Sequence, residues 1–380
     1  MEFELNDHQK ILQRTVRDFC AREIIPHARR WDEEEKLPME LVPKLAELGL
    51  LGMCHPERYG GSGMSMMDYV VAMEEIARAD GSVALTVASH NSLGGGHISL
   101  AGNDAQKEKW LPRLCRGEIL GAWGLTEPGS GSDAGAARTT ATPRDGGWVL
   151  TGTKTFITQG SVAGVYIILA STTPAKKQNG LTAFIVERER PGIRPGRHIE
   201  KLGMRASDTS EVILEDCWVP DDNRLGGVDS GFRDTLRILD RGRIGIAALA
   251  LGLGRGALEE SARYARDRQQ FGKPIAEFQA IGFMLADMAT ELDAARLLIW
   301  RAAWMHDRGQ RTTIESSVCK LWAAQAAMRA CNSAIQIHGG YGYTREFPVE
   351  RYLRDCKLCE IGEGTNEVQR LVISRELLRP

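Results

Sequence analysis

Glu363 stands between two glycines in EIGEGTNEVQRLVISREL, a stretch that begins at Glu360. Glycines on both sides leave room for other groups to approach the carboxylate. That suits a base that must reach a carbon acid. The pattern also suits a flexible loop, and Glu360 and Glu367 compete for the role. Glu367 reads better in the first turn of the following helix, where its charge complements the helix dipole. A second stretch, WGLTEPGSGSDAGA from Trp123 to Ala136, combines an aromatic with hydroxyls at Thr126, Ser130 and Ser132 and glycines at 129, 131 and 135. Such glycines let backbone N–H groups approach a flat ring or a phosphate. The alternative is a Gly/Ser surface loop. Cys356 and Cys359 form a CKLC pair, but no second CxxC or His pair completes a zinc set. The pair reads as small side chains on one helix. GLGRGALEE from Gly252 is not a dinucleotide fingerprint, because it lies inside a helical run with no strand before it. It reads as close helix packing.

These residues sit in a chain of 380 residues, 43% hydrophobic and 26% charged, which supports a large core and two or three domains. A net charge of −2 and a pI near 6.5 give no basic excess for nucleic acid or an anionic membrane. No apolar run reaches membrane-spanning length. The opening MEFELNDHQKILQ lacks a secretory signal pattern. A bacterial cytoplasmic protein is expected, and a processed organellar form is compatible. The eight scattered cysteines are expected to be reduced.

The elements that must position these groups follow an α, β, α order. Ile11, Leu12, Val16, Phe19 and Cys20 recur at helical spacing behind cap candidates Asn6 and Asp7, and Pro26 ends or kinks that helix. MELVPKLAELGLLGM and MDYVVAMEEIARADGS continue the helical pattern. GGWVLTGTKTFIT, GVYIILAST, LTAFIVERE and SEVILEDCWVP are short, β-branched runs separated by turn material. From about Phe232 the helical period returns. Leu285, Met288, Leu292, Ala295 and Ile299 form a bundle stripe, and ESSVCKLWAAQAAMRACNSAIQI is a second long helix. The expected fold is multidomain α+β: an N-terminal all-α domain (1–120), a middle antiparallel, barrel-like β-domain (121–230) and a C-terminal four-helix bundle (231–380). This is not a doubly wound nucleotide fold.

Over its whole length the chain resembles the acyl-CoA dehydrogenase family, and most the short-chain, butyryl-type branch. The resemblance rests on RYGGSG from Arg58, LTEPGSGSDAG from Leu125, GTKTFIT from Gly152 and KLGMRASDTSEVILEDCWVP from Lys201. It continues through LDRGRIGIAALALG from Leu239, DRQQFGKPIAEFQAI from Asp267, QIHGGYGYTREFPVERYLRD from Gln336 and EIGEGTNEVQRLVI from Glu360.

The resemblance implies FAD bound between the β-domain and the bundle, a homotetramer built as a dimer of dimers, and electron-transferring flavoprotein as acceptor. It implies α,β-dehydrogenation of an acyl-CoA, straight or branched, with Glu363 removing the α-proton and the β-hydride passing to flavin N5. Relatives of the isovaleryl and long-chain types carry their base where this chain has Gly242. Trp123, Leu125, Thr126, Ser132, Phe156, Ile157 and Thr158 match flavin contacts. Arg268, Phe271, Gln279, Gln336, Gly339 and Gly340 match contacts to the FAD of a neighbouring subunit, and Thr365 and Glu367 the last FAD contacts. Ser132, Asp240, Arg243 and Gly364 match substrate contacts, and the Glu363 N–H matches an oxyanion donor.

Three departures bear on the substrate. Gly362 replaces a common Tyr beside the base, and Phe156 stands where many relatives have Trp. VALTVASHNSLGGGHISLAG, expected at the acyl end, holds no Arg or Lys, which argues against glutaryl-CoA, and Gly94, Gly95 and Gly96 suggest a wide pocket. Two other readings stand beside dehydrogenation. One is a flavin oxidase or monooxygenase on the same fold, the other a non-catalytic acyl-CoA-binding homologue.

Overall fold

The structure, a computed structural model, describes residues 3–379. Helices α1 (Asp7–Glu23), α2 (Ala28–Glu34) and α3 (Leu41–Glu47) open the chain, followed by α4 (Met66–Ala79), α5 (Gly81–Ala88), α6 (Gly95–Ala101) and α7 (Asp104–Cys115). Asn6 caps α1 in a reciprocal capping box with Gln9, and α1 buries Val16, Phe19 and Cys20. Between α5 and α6 the helix runs on through a π-helical turn, Ser89–Gly94. Such turns are frequent at functional sites.

The middle of the chain forms one sheet from β1 (Gly121–Gly124), β2 (Thr140–Arg144), β3 (Gly147–Thr158), β4 (Val165–Ser171), β5 (Leu181–Glu187), β6 (Ile193–His198), β7 (Thr209–Pro220) and β8 (Arg224–Leu225). The strand order is β6–β7–β3–β2–β4–β5–β8, with β1 on β4. The expectation of purely antiparallel pairing needs one correction. β1 runs parallel to β4, and β2 touches β4 in the same sense. The chain leaves β1 through the 125–139 loop and the β2–β3 hairpin before β4, so it re-enters the sheet in the direction in which it left. β4 is buried on both faces. Tyr166, Ile168 and Ala170 join one apolar cluster, and Val165, Ile167 and Leu169 another, as the two-residue period of a strand dictates.

The C-terminal part comprises α8 (Gly231–Asp267), the short hairpin β9 (Gln269–Gln270) and β10 (Lys273–Pro274), then α9 (Gln279–Asp307), α10 (Thr313–His338), α11 (Val349–Cys359) and α12 (Asn366–Leu377). The expected stripe of α9 is inward: Met288, Leu292, Ala295 and Ile299 are buried. GLGRGALEE lies within α8 as a packing device, since a Cβ on Gly252 would stand 2.6 Å from that of Ala77 on α4. The same interface carries buried charge. Arg255 donates to Glu74 (2.8 Å) and Glu75 (2.9 Å), Arg17 to Glu75 (3.1 Å) and Arg296 to Glu74 (2.8 Å). One network thus joins α1, α4, α8 and α9. All eight cysteines are free, with Cys356 and Cys359 buried. Among the described residues no helix is long and apolar enough to cross a membrane, and no His/Cys/Asp/Glu group is arranged to hold a metal.

Candidate active site

The segment between α11 and α12 is held tightly rather than loose. The Ile361 and Gly362 N–H groups donate to Leu358 O (2.9 and 2.8 Å), and the Asn366 N–H to Glu360 O (2.9 Å). The side chain of Thr365 caps α12, and Glu367 lies exposed in its first turn. Glu363 has φ +52° and Gly364 φ +95°. A non-glycine residue in the left-handed region is strained and persists only where its surroundings enforce it. Here the Gly364 carbonyl accepts from Lys320 Nζ and Gln369 Nε2, both at 2.8 Å. The Glu363 N–H has no acceptor among the described residues.

That backbone turns the Glu363 side chain onto α8. A Cβ added to Gly242 would overlap the carboxylate, so residue 242 must be glycine for Glu363 to lie where it does. A carboxylate from position 242 would compete for the same space. Glu363 as a whole is half-buried, yet its Oε2 is buried with no hydrogen-bond partner among the described residues. Burial raises the Glu363 pKa to about 7, against the pull of Arg243 and Lys320. Arg243 is buried and donates to Asp240 (2.8 Å), which also accepts from Thr313 Oγ1 (2.7 Å). The pair is a structural ion pair, but Arg243 Nε stays buried with no partner among the described residues.

The expected flavin contacts gather where β1 and β3 meet the 125–139 loop. The Trp123 indole N–H donates to His97 Nδ1 (3.0 Å), and burial holds His97 neutral, with its pKa pushed down to about 4. The Thr155 N–H donates to Thr126 O (2.9 Å). Leu125 and Ile157 are buried, Thr158 is half-buried and Ser132 is exposed. A bulge in β3 lies between Lys154 and Ile157, where Phe156 has φ +56° and is 64% exposed. Beneath the loop, Lys154 Nζ donates to Glu127 Oε1 (2.7 Å) and Leu125 O (3.2 Å). Glu127 also accepts from the N–H groups of Arg138 (2.6 Å) and Thr139 (2.9 Å). Both side chains are almost wholly buried.

Arg268, Gly339 and Gly340 line a separate cleft of about 510 Å³ with Gln270, His338 and Tyr341. The Arg268 guanidinium lies 5.4 Å over the Tyr341 ring. Phe271, Gln279 and Gln336 are exposed but do not line this cleft. Arg268 follows Gly242 by 26 residues of helix, roughly 40 Å at ~1.5 Å per residue. It is therefore far from the Glu363 carboxylate of its own chain. Both regions fit a cofactor with a flat ring and phosphates. At Gly129, Gly131, Gly339 and Gly340 a Cβ would meet no described atom within 4 Å, so a ligand can approach the backbone closely there, although the Gly339 N–H is engaged with Gln336 O.

The acyl end differs from expectation. The Gly94, Gly95 and Gly96 run leaves no wide space. A Cβ would stand 3.0 Å from the Gly121 backbone at Gly94, 2.5 Å from His55 Nε2 at Gly95 and 3.1 Å from Asn91 O at Gly96. These glycines serve close approach to β1 and to His55. Sequence reasoning missed Tyr69, whose buried hydroxyl, unpartnered, would lie 2.7 Å from a Cβ on Gly245, one turn along α8 from the base. It also missed Glu127, Lys154 and Lys320. The signal was present for the two lysines. Lys154 sits at an inward strand position, and Lys320 on the buried stripe Ser316, Ser317, Ala323 and Ala327 of α10.

Comparison with known proteins gives the same picture for the whole chain. Family models for the acyl-CoA dehydrogenase N-terminal, middle and C-terminal domains match residues 6–118, 122–217 and 229–378. The chain is similar to the short-chain specific acyl-CoA dehydrogenase of Clostridium acetobutylicum (41% identity, 100% of each chain). It is also similar to the caffeyl-CoA reductase-Etf complex subunit CarC of Acetobacterium woodii (43%, covering 98% and 99%). Butyryl-CoA dehydrogenase of Megasphaera elsdenii superposes with TM-score 0.98 at 42% identity over 100% of both chains. A glutaryl-CoA dehydrogenase of Mycobacterium smegmatis in complex with FADH2 does so at 0.94 and 32%, covering 99% and 96%. The chain belongs to the acyl-CoA dehydrogenase family.

Proposed function

We propose that the protein dehydrogenates a short-chain acyl-CoA to the trans-2-enoyl-CoA with FAD, Glu363 being the base that takes the α-proton. The observation that carries this reading is the Glu363 carboxylate, sealed over Gly242 with an unpartnered oxygen and a pKa raised to about 7. Burial makes the carboxylate a stronger base, and proton uptake returns it to the neutral form that burial favours. The free Glu363 N–H faces no protein acceptor and suits the thioester oxygen as that atom gains enolate charge. The chemistry that FAD supplies, when bound, is uptake of the β-hydrogen as hydride. Trp123, Thr126, Ser132, Phe156 and Thr158 border the ring site, while Asp240, Arg243 and Gly364 border the thioester end. The cleft at Arg268, Gly339 and Gly340 lies too far from its own chain's base to complete that site. This supports service to a neighbouring subunit's FAD, hence a homotetramer, together with Phe271, Gln279 and Gln336. The relative from Acetobacterium woodii, named as part of an Etf complex, supports electron-transferring flavoprotein as acceptor.

Anaerobic bleaching of the flavin band by butyryl-, hexanoyl-, octanoyl-, isobutyryl-, 2-methylbutyryl-, isovaleryl- and glutaryl-CoA tests the reading. Rapid bleaching by a short acyl-CoA is expected. A flavin-loaded protein bleached by none of them, or one whose reduced flavin air reoxidises at once, overturns it. Tyr69 supports the short-chain limit, because its ring closes the space one turn from the base. Tyr69→Ala is expected to raise kcat/KM for octanoyl-CoA relative to butyryl-CoA by about 10-fold or more. An unchanged ratio removes Tyr69 from chain-length control.

One observation favours a second reading, an acyl group with a polar end. Both His55 ring nitrogens and the Tyr69 hydroxyl are buried without hydrogen-bond partners among the described residues. Arg241, on α8 near them, is half-buried with no ion-pair partner among the described residues. The absence of Arg and Lys from residues 83–102 therefore does not leave this end without a cation. Preferential bleaching by glutaryl-CoA would select this reading.

A further inference from the structure

We propose that Lys320 is a positioning residue for the Glu363 base, gripping the chain beside it and setting the charge that faces it. The inference rests on the reading of Glu363 given above. Lys320 projects from the first third of α10 and is fully buried among Ser316, Ser317, Cys319, Ala323 and Ala324. An ammonium there is expensive to desolvate, and an apolar side chain would fill the same volume. Yet Lys320 meets no carboxylate within ion-pair distance among the described residues. Its contacts are the Gly364 carbonyl (2.8 Å) and Asn366 Oδ1 (3.4 Å). Gly364 lies in the short turn that carries Glu363, and Asn366 opens α12 directly behind it.

Two consequences follow from that placement. The first is mechanical. The Gly364 carbonyl receives hydrogen bonds from Lys320 on one side and Gln369 on the other, which fixes the chain just past the strained Glu363. Reactivity is sensitive to sub-ångström placement of a catalytic group. The second is electrostatic. The charged and titratable groups facing Glu363 are Arg243 from α8, Lys320 from α10 and Tyr69 from α4, while Glu360 on its own segment acts on Lys320. Only Arg243 and Lys320 favour the carboxylate form. Burial pushes the Lys320 pKa down to about 8, which leaves it charged at neutral pH.

The test compares FAD-loaded wild type with Lys320→Met and Lys320→Gln, using butyryl-CoA across a range of pH. Lys320→Met is expected to lower kcat by about 10- to 100-fold with KM changed by no more than about 3-fold. Its pH–rate inflection should move upward. Lys320→Gln keeps a donor for the Gly364 carbonyl but no charge, so it should recover part of kcat while sharing the upward shift. Wild-type kcat with an unmoved inflection in either folded variant overturns the proposal. So does a loss confined to FAD content or thermal stability, because Lys320 would then serve the fold alone. If Lys320→Met does not fold, Lys320→Gln gives the pH readout by itself. Normal turnover by Glu363→Gln would instead sink the underlying base assignment, whatever the Lys320 variants do.

Discussion

Glu363→Gln is expected to retain yellow flavin and bind acyl-CoA, yet lose kcat by on the order of 10³- to 10⁴-fold. The amide has nearly the same shape, so the loop held by Lys320 and Gln369 is undisturbed, and only the proton acceptor is lost. The pH dependence is part of the same prediction. Wild-type turnover should rise with pH through an inflection near 7, because the ionised carboxylate is the active form. Stability should run the other way. The folded pKa of about 7 lies above the unfolded value, so between pH 4.5 and 7 the folded chain holds a proton that the unfolded chain has released. That contribution is full below 4.5 and is lost as pH rises to 7, by roughly 3 kcal/mol at most. Glu363→Gln has no such loss. It should therefore melt higher than wild type at pH 8 and alike at pH 4.5. Thermal melts of both holoproteins at the two pH values, beside single-turnover bleaching, decide the matter. A variant that still bleaches rapidly, or melts with the same pH profile as wild type, removes Glu363 from the role.

Much of this site was legible because local sequence carries it. Gly-Glu-Gly fixes what can surround the base, and the stripe of Met288, Leu292, Ala295 and Ile299 places a helix by period alone. What escaped depends on which distant residues meet. The resemblance singled out Gly242 as a position that could have held the base, but the direct contact, with the Glu363 carboxylate lying where a Cβ at 242 would be, is visible only in the fold. The glycines at 94–96 were expected to open a pocket, but they admit His55 and the β1 backbone instead. A missing Cβ allows either outcome, and only the neighbours choose. The parallel placement of β1 on β4 is likewise invisible in strand composition, because it is set by the excursion between them. Lys154 and Lys320 show the reverse case. A charged residue at a buried position of a strand or helix marks a partner that sequence does not name.

Lys154→Met carries the second large expected effect, on stability and on FAD retention. The substitution removes a buried cation and leaves Glu127 with only the Arg138 and Thr139 N–H groups. Breaking one side of a buried pair leaves an uncompensated charge, a loss of about 3–5 kcal/mol. The damage has a direction. Lys154 also donates to the Leu125 carbonyl, and Glu127 holds the far side of the loop at residues 138 and 139, so the pair ties both ends of the 125–139 loop to β3. The proposed flavin contacts Leu125, Thr126 and Ser132 sit on that loop. Lower melting temperature should therefore come with a lower ratio of flavin to protein absorbance, and added FAD should restore part of it by mass action. The double variant Glu127→Gln/Lys154→Met removes both charges and should regain much of the stability, since no unpaired ion stays buried. If Lys154→Met instead behaves like a surface substitution, within about 0.5 kcal/mol of wild type, the pair does not hold the loop. If the double variant is as unstable as the single one, packing of the lysine stem, and not charge, is what β3 supplies.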